Sequence, residues 1–466
     1  MREFDLAIIG SGSAAFAAAI RARDAGASVV IVERGTVGGT CVNTGCVPSK
    51  TLLRAAEIRA HARKHPFPGI TTSADGVDLA ALVAQKDALV ATLRQRKYLD
   101  LLAEYGIELV QGDARFLDPD TIAVDDAHIR ASRVLIATGA RPTLPAIPGL
   151  VGAAALTSTT ALALERVPER LLVIGAGYVA LELGQLFAHL GSSVALIARS
   201  TLMREEEPEV AETIRRVLTD DGIRLAEHAT VERIEHAPNG EKTVHAVING
   251  ERHAFVCDEL LVATGRTPNT ETLDLEAASI ETDTAGAIVV TPSLQTSNQR
   301  VYAAGDVVSG SPAFVYVAAR MGATAASNAL NDQSDVLDYA ALPRVVFTTP
   351  QIARTGLTDA EAKRRGIDCS CRTLPLDALP RALANHDTRG FVKLVINRET
   401  RRLLGATIVA DGAADTIQAA IYAIELDATI EQLASIWAPY LTYGEGLRLA
   451  AQTFTRDISK LSCCAA

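Results

Sequence analysis

An α/β fold is predicted for this chain, built on two strand–turn–helix–strand units. Three observations carry that expectation. Apolar residues make up 48% of the chain but aromatic ones only 4%, so the apolar mass is largely Ala, Val, Leu and Ile, which suits buried parallel strands covered by helices. A glycine turn between an apolar strand and a helix-forming run occurs twice, in "DLAIIGSGSAAFAAAIRARDAGASVVIVERG" and "RLLVIGAGYVALELGQLFAHLGSSVALIARS". At 466 residues the chain exceeds one ordinary core and is expected to divide into about three or four domains.

Charge and composition exclude several classes. A formal charge of −10 with no Lys/Arg run argues against a nucleic-acid partner, which needs a basic face. No apolar stretch reaches the ~20 residues that would cross a bilayer. The strand-like "FDLAIIG" begins at Phe4 and leaves no room for a signal peptide, so a cytoplasmic protein is expected. There the seven cysteines, an odd number, do not read as a disulfide framework.

The first unit has the pattern of a Rossmann-like dinucleotide site. Gly10 and Gly12 allow a tight turn and close backbone approach to a pyrophosphate at the positive end of a helix, and Ala15 takes the third small position. Glu33 ends the second strand, where a carboxylate accepts ribose hydroxyls. The second unit repeats the pattern with Gly175, Gly177 and Ala180. Counting the 23 residues that separate Gly10 from Glu33 leads from Gly175 to Ala198, followed by Arg199. A carboxylate would repel a 2′-phosphate, whereas Arg199, with Arg204 nearby, pairs with one and points to NADPH. Two adenosine readers of different chemistry imply two cofactors, one held and one exchanged.

Three further segments carry a family likeness. "RVLIATGARP", with Thr138 and Gly139, and "ELLVATGRTPN", with Gly265, resemble the Thr-Gly turns of two-dinucleotide flavoproteins, and "RVYAAGDVV" resembles the motif in which an aspartate, here Asp306, holds the ribityl chain. From residue 4 to the end the chain resembles the pyridine nucleotide–disulfide oxidoreductases, class I and glutathione reductase-like. The resemblance implies FAD and NADPH as cofactors, with Gly39, Thr40, Lys50 and Ala114 also beside the FAD. It implies a Lys50–Glu182 ion pair at the flavin and Tyr178 as cover of the nicotinamide pocket. The division that the resemblance implies is two Rossmann-like units, an FAD-binding domain over 1–150 and an NADPH-binding domain over 151–270, then a central domain completing the FAD site over 271–340 and, opening with "PRVVFTTPQIARTGLT", an α+β interface (dimerisation) domain over 341–466.

In "GGTCVNTGCVPSK", Cys41 and Cys46 stand five residues apart. A regular helix would separate them by about 7.5 Å along its axis, whereas a disulfide needs Cα atoms within about 7 Å. Gly45 and Pro48 are therefore expected to distort the turn. A structural zinc site would need a second cysteine pair at ligand spacing, and none is present. The resemblance implies that the two form the redox-active pair, with Cys46 as the thiolate against the flavin and Cys41 as the exposed exchanging thiol.

Relatives that reduce disulfides carry His-Pro-Thr and then a glutamate near the C-terminus. In "IWAPYLTYGEGLRLAAQ", Thr442 and Glu445 keep that register, but Tyr440 and Leu441 replace the histidine and proline, and no histidine follows His386. A phenol with a pKa near ~10 is a poor proton shuttle at neutral pH. The chain ends in "LSCCAA", which adds Cys463 and Cys464. An intact dithiol without its acid–base group, plus a second thiol pair, suits a soft cation handled by ligand exchange.

These segments resemble the branch of the family that reduces mercuric ion. The likeness implies Hg(II) as substrate, with Cys41, Cys46, Cys463 and Cys464 as its ligands and Tyr98 and Tyr440 as accompanying catalytic tyrosines. It also implies a homodimer, because Tyr440, Cys463 and Cys464 would serve the site of the partner subunit. The separate N-terminal metal-binding domain of many such relatives is expected to be missing. Two alternatives remain open: a large thioredoxin reductase-like disulfide reductase, and a flavoprotein that sequesters soft metals without reducing them. Cys369 and Cys371 alternate as on a strand, and Cys257 is expected to be a small core residue.

Overall fold

The computed structural model describes residues 2–457. Its first sheet has seven strands, built around the apolar strand Arg2–Ile9. That strand pairs in parallel with Val29–Glu33 on one side and Ala127–Ile136 on the other, and Glu108–Gln111 extends the parallel edge. Thr121–Val124 and Ala114–Phe116 continue from Ala127–Ile136 in antiparallel fashion. The chain then returns from afar: Val301–Ala303 pairs in parallel with the C-terminal half of Ala127–Ile136. Leu6, Ala7, Ile8, Val30 and Ile31 are fully buried, as expected of parallel strands covered on both faces.

Helix Ser13–Asp24 crosses helix Val315–Asn331 at close range. Gly322 makes the approach possible, since a Cβ there would lie 2.0 Å from the Ala14 carbonyl oxygen. Through this crossing and strand Val301–Ala303, the segment from 271 onward completes the first sheet's core rather than building one of its own.

The second sheet has four parallel strands in the order Arg224–Ala226, Ser193–Ile197, Arg170–Ile174, Glu259–Val262, with helix Tyr178–Leu190 packed against it. A three-stranded antiparallel sheet, Ala229–His236, Lys242–Ile248 and Glu251–Cys257, lies beside it. Two short strands, Ala140–Pro142 and Arg266–Pro268, pair where the chain leaves and re-enters this region.

The last unit is a five-stranded antiparallel sheet, ordered Arg344–Val346, Gln351–Gly356, Leu403–Ala410, Phe391–Asn397, Cys369–Pro375. Helices Ala413–Glu425 and Glu445–Gln452 pack on it. The expected class, two α/β units followed by an α+β domain, is the class observed. No helix among the described residues is long and apolar enough to cross a membrane.

Candidate active site

The dithiol lies where the helix is broken. Helix Gly39–Asn43 stops, Thr44 and Gly45 leave helical geometry, and helix Cys46–Arg63 begins at the second cysteine itself. Gly45 is needed for this turn, because a Cβ would press on Thr40 at 3.0 Å. Pro48 acts differently from the expectation. It sits in the first turn of the new helix, where its missing N–H has no intrahelical partner to lose, so it starts that helix rather than distorting it. Asn43 fixes the short helix: its amide donates to the Val37 and Gly39 carbonyls, each at 3.0 Å, and its oxygen accepts from Arg94 at 3.1 Å.

Both thiols are free and hydrogen-bonded to each other. Donation from Cys41 brings the Cys46 thiol down to about 7, with the Lys50 cation helping and burial and Glu182 opposing. The same bond and burial push Cys41 upward. Cys46 is thus the thiolate of the pair near neutral pH. The exposure is the reverse of the expectation: Cys46, at the first position of its helix, is the exposed thiol, and Cys41, inside the short helix, is half-buried.

Lys50 lies one turn further along the helix. Its ammonium is 2.7 Å from Glu182, a buried residue of helix Tyr178–Leu190, so the pair ties the dithiol helix to the second unit. Phe347, from the C-terminal unit, donates its N–H to the other Glu182 oxygen at 2.9 Å, and its ring lies 4.6 Å from the Lys50 ammonium. Tyr178 opens the same helix and donates to Glu206. Its ring is 6.3 Å from that of Phe314, which stacks on Tyr316 at 5.3 Å. The Tyr316 phenol feels the Cys46 charge, and burial pushes its pKa up to about 12. An aromatic row therefore runs from the second glycine turn toward the dithiol.

The glycine turns have the shape a dinucleotide requires. At Gly10, with φ +103°, a Cβ would lie 2.4 Å from the Ala137 carbonyl oxygen. At Gly175, with φ +145°, it would lie 2.2 Å from the Ala263 carbonyl oxygen. By contrast, a Cβ at Gly139, Gly177 or Gly265 would meet no protein atom, so the backbone there faces a cradle open to a ligand. Gly39 lies against Gly12, and Thr40 follows it beside the first turn. Ala15 and Ala180 are fully buried beneath their turns. Thr138 donates to the Asn269 carbonyl oxygen at 2.8 Å.

Glu33 accepts from Ser11 at 2.5 Å and from the Gly35 N–H at 2.6 Å, at the end of its strand. Ala114 is buried on the sheet edge beyond Gln111, whose amide reaches the Gly35 carbonyl at 2.9 Å. Burial raises the Asp306 pKa, and Arg266 stands 3.5 Å away. Arg199 and Arg204 are exposed beyond strand Ser193–Ile197. The residues present fit two dinucleotides.

Tyr98 approaches the dithiol from a π-helical turn, Gln95–Leu99, between two α-helical stretches. Its ring packs edge-on against Phe16 at 4.9 Å and against Gly38. Burial raises its phenol and the two thiols add to the rise, while a hydrogen bond with Ser13 opposes it. Tyr440 is about half exposed on the C-terminal unit, beside the almost fully exposed Trp437. Leu441 follows with φ +63°. Thr442 accepts from the Glu445 N–H at 3.3 Å, and Glu445 is buried against Arg448 at 3.0 Å. Cys463 and Cys464 lie outside the described residues. Cys369 and Cys257 are buried and Cys371 half-buried. No cluster of three or more candidate metal ligands occurs among the described residues.

Residues 4–322 match the pyridine nucleotide-disulphide oxidoreductase family, and residues 342–451 match that family's dimerisation domain. A mercuric reductase from Staphylococcus aureus is 52% identical over 465 residues, covering 99% of this chain and 84% of that one. One from Streptomyces lividans is 50% identical over 468 residues, covering 99% and 98%. The chain belongs to the pyridine nucleotide-disulphide oxidoreductase family, on its mercuric reductase branch.

Within the family the architecture also matches a solved structure. The HOCl-induced flavoprotein disulfide reductase RclA from Escherichia coli, in a Cu(II) complex, superposes with a TM-score of 0.87 at 29% identity, covering 98% of this chain and all of that one. A family oxidoreductase needs an electron-transfer site and a substrate site. Phe347, Phe314, Tyr316, Asn43 and Glu206 surround the first here, yet none is apparent from the sequence. For Phe347 and Glu206 the decisive partners lie far along the chain, Phe347 meeting Glu182 across 165 residues and Glu206 meeting Arg354. Only the aromatic spacing in "FVYVAAR" offered a signal for Phe314 and Tyr316.

Proposed function

We propose that the protein reduces Hg(II) to Hg(0) at the expense of NADPH. The observation that carries this reading is Cys46, whose thiol is brought down to about 7 beside Cys41 and the Lys50–Glu182 pair, in a chain whose family histidine is replaced by Tyr440. Thiolates take up a soft cation by ligand exchange, and that step requires no imidazole to protonate a leaving thiol.

FAD would be held by Gly10, Gly12, Ala15, Glu33, Gly39, Thr40, Ala114, Thr138, Gly139 and Asp306. NADPH would be held by Gly175, Gly177, Tyr178, Ala180 and Gly265, with Arg199 and Arg204 pairing its 2′-phosphate. When bound, these groups supply the two electrons as a hydride equivalent. Lys50 stabilises the Cys46 anion, and Glu182 with Phe347 fixes the Lys50 ammonium. Hg(II) enters as a bis-thiol complex, exchanges onto Cys463 and Cys464 of the partner subunit, and passes to Cys41 and Cys46, with Tyr98 and Tyr440 beside it. Two-electron reduction gives a neutral atom with little affinity for thiolate, which then leaves.

The dimerisation domain and the exposed Ile436, Trp437 and Tyr440 favour a homodimer with shared sites. The four-part division of the chain at about 150, 270 and 340, and a cytoplasmic location, belong to the same reading. NADPH oxidation is measured with HgCl₂ in excess small thiol, and separately with oxidised thioredoxin, glutathione and lipoamide. Oxidation confined to the mercury reaction, with release of mercury vapour, is expected. Turnover of a disulfide, or mercury bound without vapour, would reject the reading.

A further inference from the structure

We propose that Glu206 is a positioning residue for the nicotinamide pocket, holding the ring of Tyr178 from a buried ion pair supplied by the C-terminal unit. The proposal rests on reading Tyr178 as the cover of that pocket. Tyr178 is the first residue of its helix, directly after the open backbone at Gly177. Its phenol donates to one carboxylate oxygen of Glu206, which belongs to the segment between strand Ser193–Ile197 and helix Pro208–Asp220. The other oxygen is 3.0 Å from the guanidinium of Arg354, and the two side chains are only 3% and 5% exposed.

Arg354 comes from strand Gln351–Gly356 and is itself held by Glu361 at 2.8 Å. Glu361 is the capping-box residue of helix Asp359–Arg364, so the far end of the chain of contacts is fixed to a helix terminus. The neighbouring residue is clamped in the same way: Lys393 lies 2.7 Å from Glu207, with both side chains almost fully buried. Two cations of the C-terminal sheet thus grip one acidic segment of the second unit. Buried ion pairs return little net stability for the desolvation they require, so the gain from such a grip is a fixed position.

That position bears on the route of the nicotinamide. Tyr178 starts the aromatic row that continues through Phe314 and Tyr316 toward Cys46. A ring there must move as the nicotinamide enters and must then settle against it. A hydrogen bond to a buried carboxylate sets where it settles, and losing such a bond is worth about ten-fold in a rate or binding ratio.

The test uses flavin-loaded Y178F, E206Q and the double variant. Flavin bleaching by NADPH is followed by stopped flow, and the visible spectrum and melting temperature are recorded for each. Each single change is expected to lower the second-order rate of bleaching about ten-fold, with the double variant no slower than the slower single one. E206Q bleaching at the parent rate, or losses that multiply in the double variant, would overturn the role of Glu206. A lowered melting temperature with unchanged bleaching would overturn it as well, by showing a purely structural contact. An unchanged Y178F would instead remove the reading of Tyr178 as the cover, and this proposal with it. Should E206Q fail to retain flavin, E206D, which keeps the charge but withdraws it by one methylene, is paired with Y178F under the same criteria.

Discussion

Cys46 owes its low pKa to named neighbours, and each contributes a separable part. The hydrogen bond from Cys41 is the largest lowering influence and the Lys50 cation the next, while burial and Glu182 push the other way. Alkylation of Cys46 in the reduced protein should therefore follow a titration with a midpoint near pH 7. Below that midpoint the thiol is protonated and slow, and above it the thiolate reacts. C41A removes the principal donor and should move the midpoint up toward the ordinary thiol range; K50M should move it up by less. A midpoint that stays put in C41A would contradict the structure.

Tyr440 permits a second test at this scale. If Tyr440 serves the substrate side, as proposed, Y440F should lower mercury turnover about ten-fold while flavin bleaching by NADPH keeps its rate. Equal losses in both reactions would place Tyr440 in the electron supply instead. The glycine turns, the Cys41–Cys46 spacing and the acid Glu33 at a strand end were legible in the sequence because each depends on local backbone. Glu206 and Phe347 were not, since their roles exist only once distant segments meet.

Helices and strands show the same division between local and long-range causes. The two glycine turns and their helices follow from patterns within about 30 residues, and the structure forms both. The π-helical turn that presents Tyr98 has no signature in the sequence, which carries only the pattern of an ordinary helix there. Nothing in "RQRKYLDLL" marks an extra residue in a turn, and the register is set by Tyr98 packing on Phe16 and Gly38. The crossing of Ser13–Asp24 and Val315–Asn331 was likewise hidden, because it joins segments some 300 positions apart. It does make a sharp prediction. Alanine normally favours a helix interior over glycine by about 1 kcal/mol. At Gly322 the added methyl would instead collide with the Ala14 carbonyl, so G322A should destabilise by about 1–3 kcal/mol and loosen flavin retention. Thermal release of flavin fluorescence reads both effects; a raised release temperature would show that the helices part without penalty.

At the level of the whole molecule, the reading demands that two chains cooperate. A subunit carrying C41A and C46A keeps its tail, while one carrying C463A and C464A keeps its dithiol. If sites are shared, a mixed dimer has one site lacking both pairs and one with both intact, so mixing two inactive parents should restore mercury reduction. If each chain serves itself, every site in the mixture is defective and activity stays absent. Subunit exchange followed by mercury-vapour measurement distinguishes the two.

Leu441 carries a consequence for what this corner can accept. Its backbone has φ +63°, on the left-handed side that a pyrrolidine ring, locked near about −65°, cannot visit. Reinstating imidazole at the preceding position would thus leave a disulfide-type enzyme half rebuilt, with the new base borne on a loop of the wrong shape. Reinstating the ring as well would force the whole corner to refold. The loop shape at Leu441 and the side chain at Tyr440 therefore go together, and a proline is incompatible with the backbone this corner adopts.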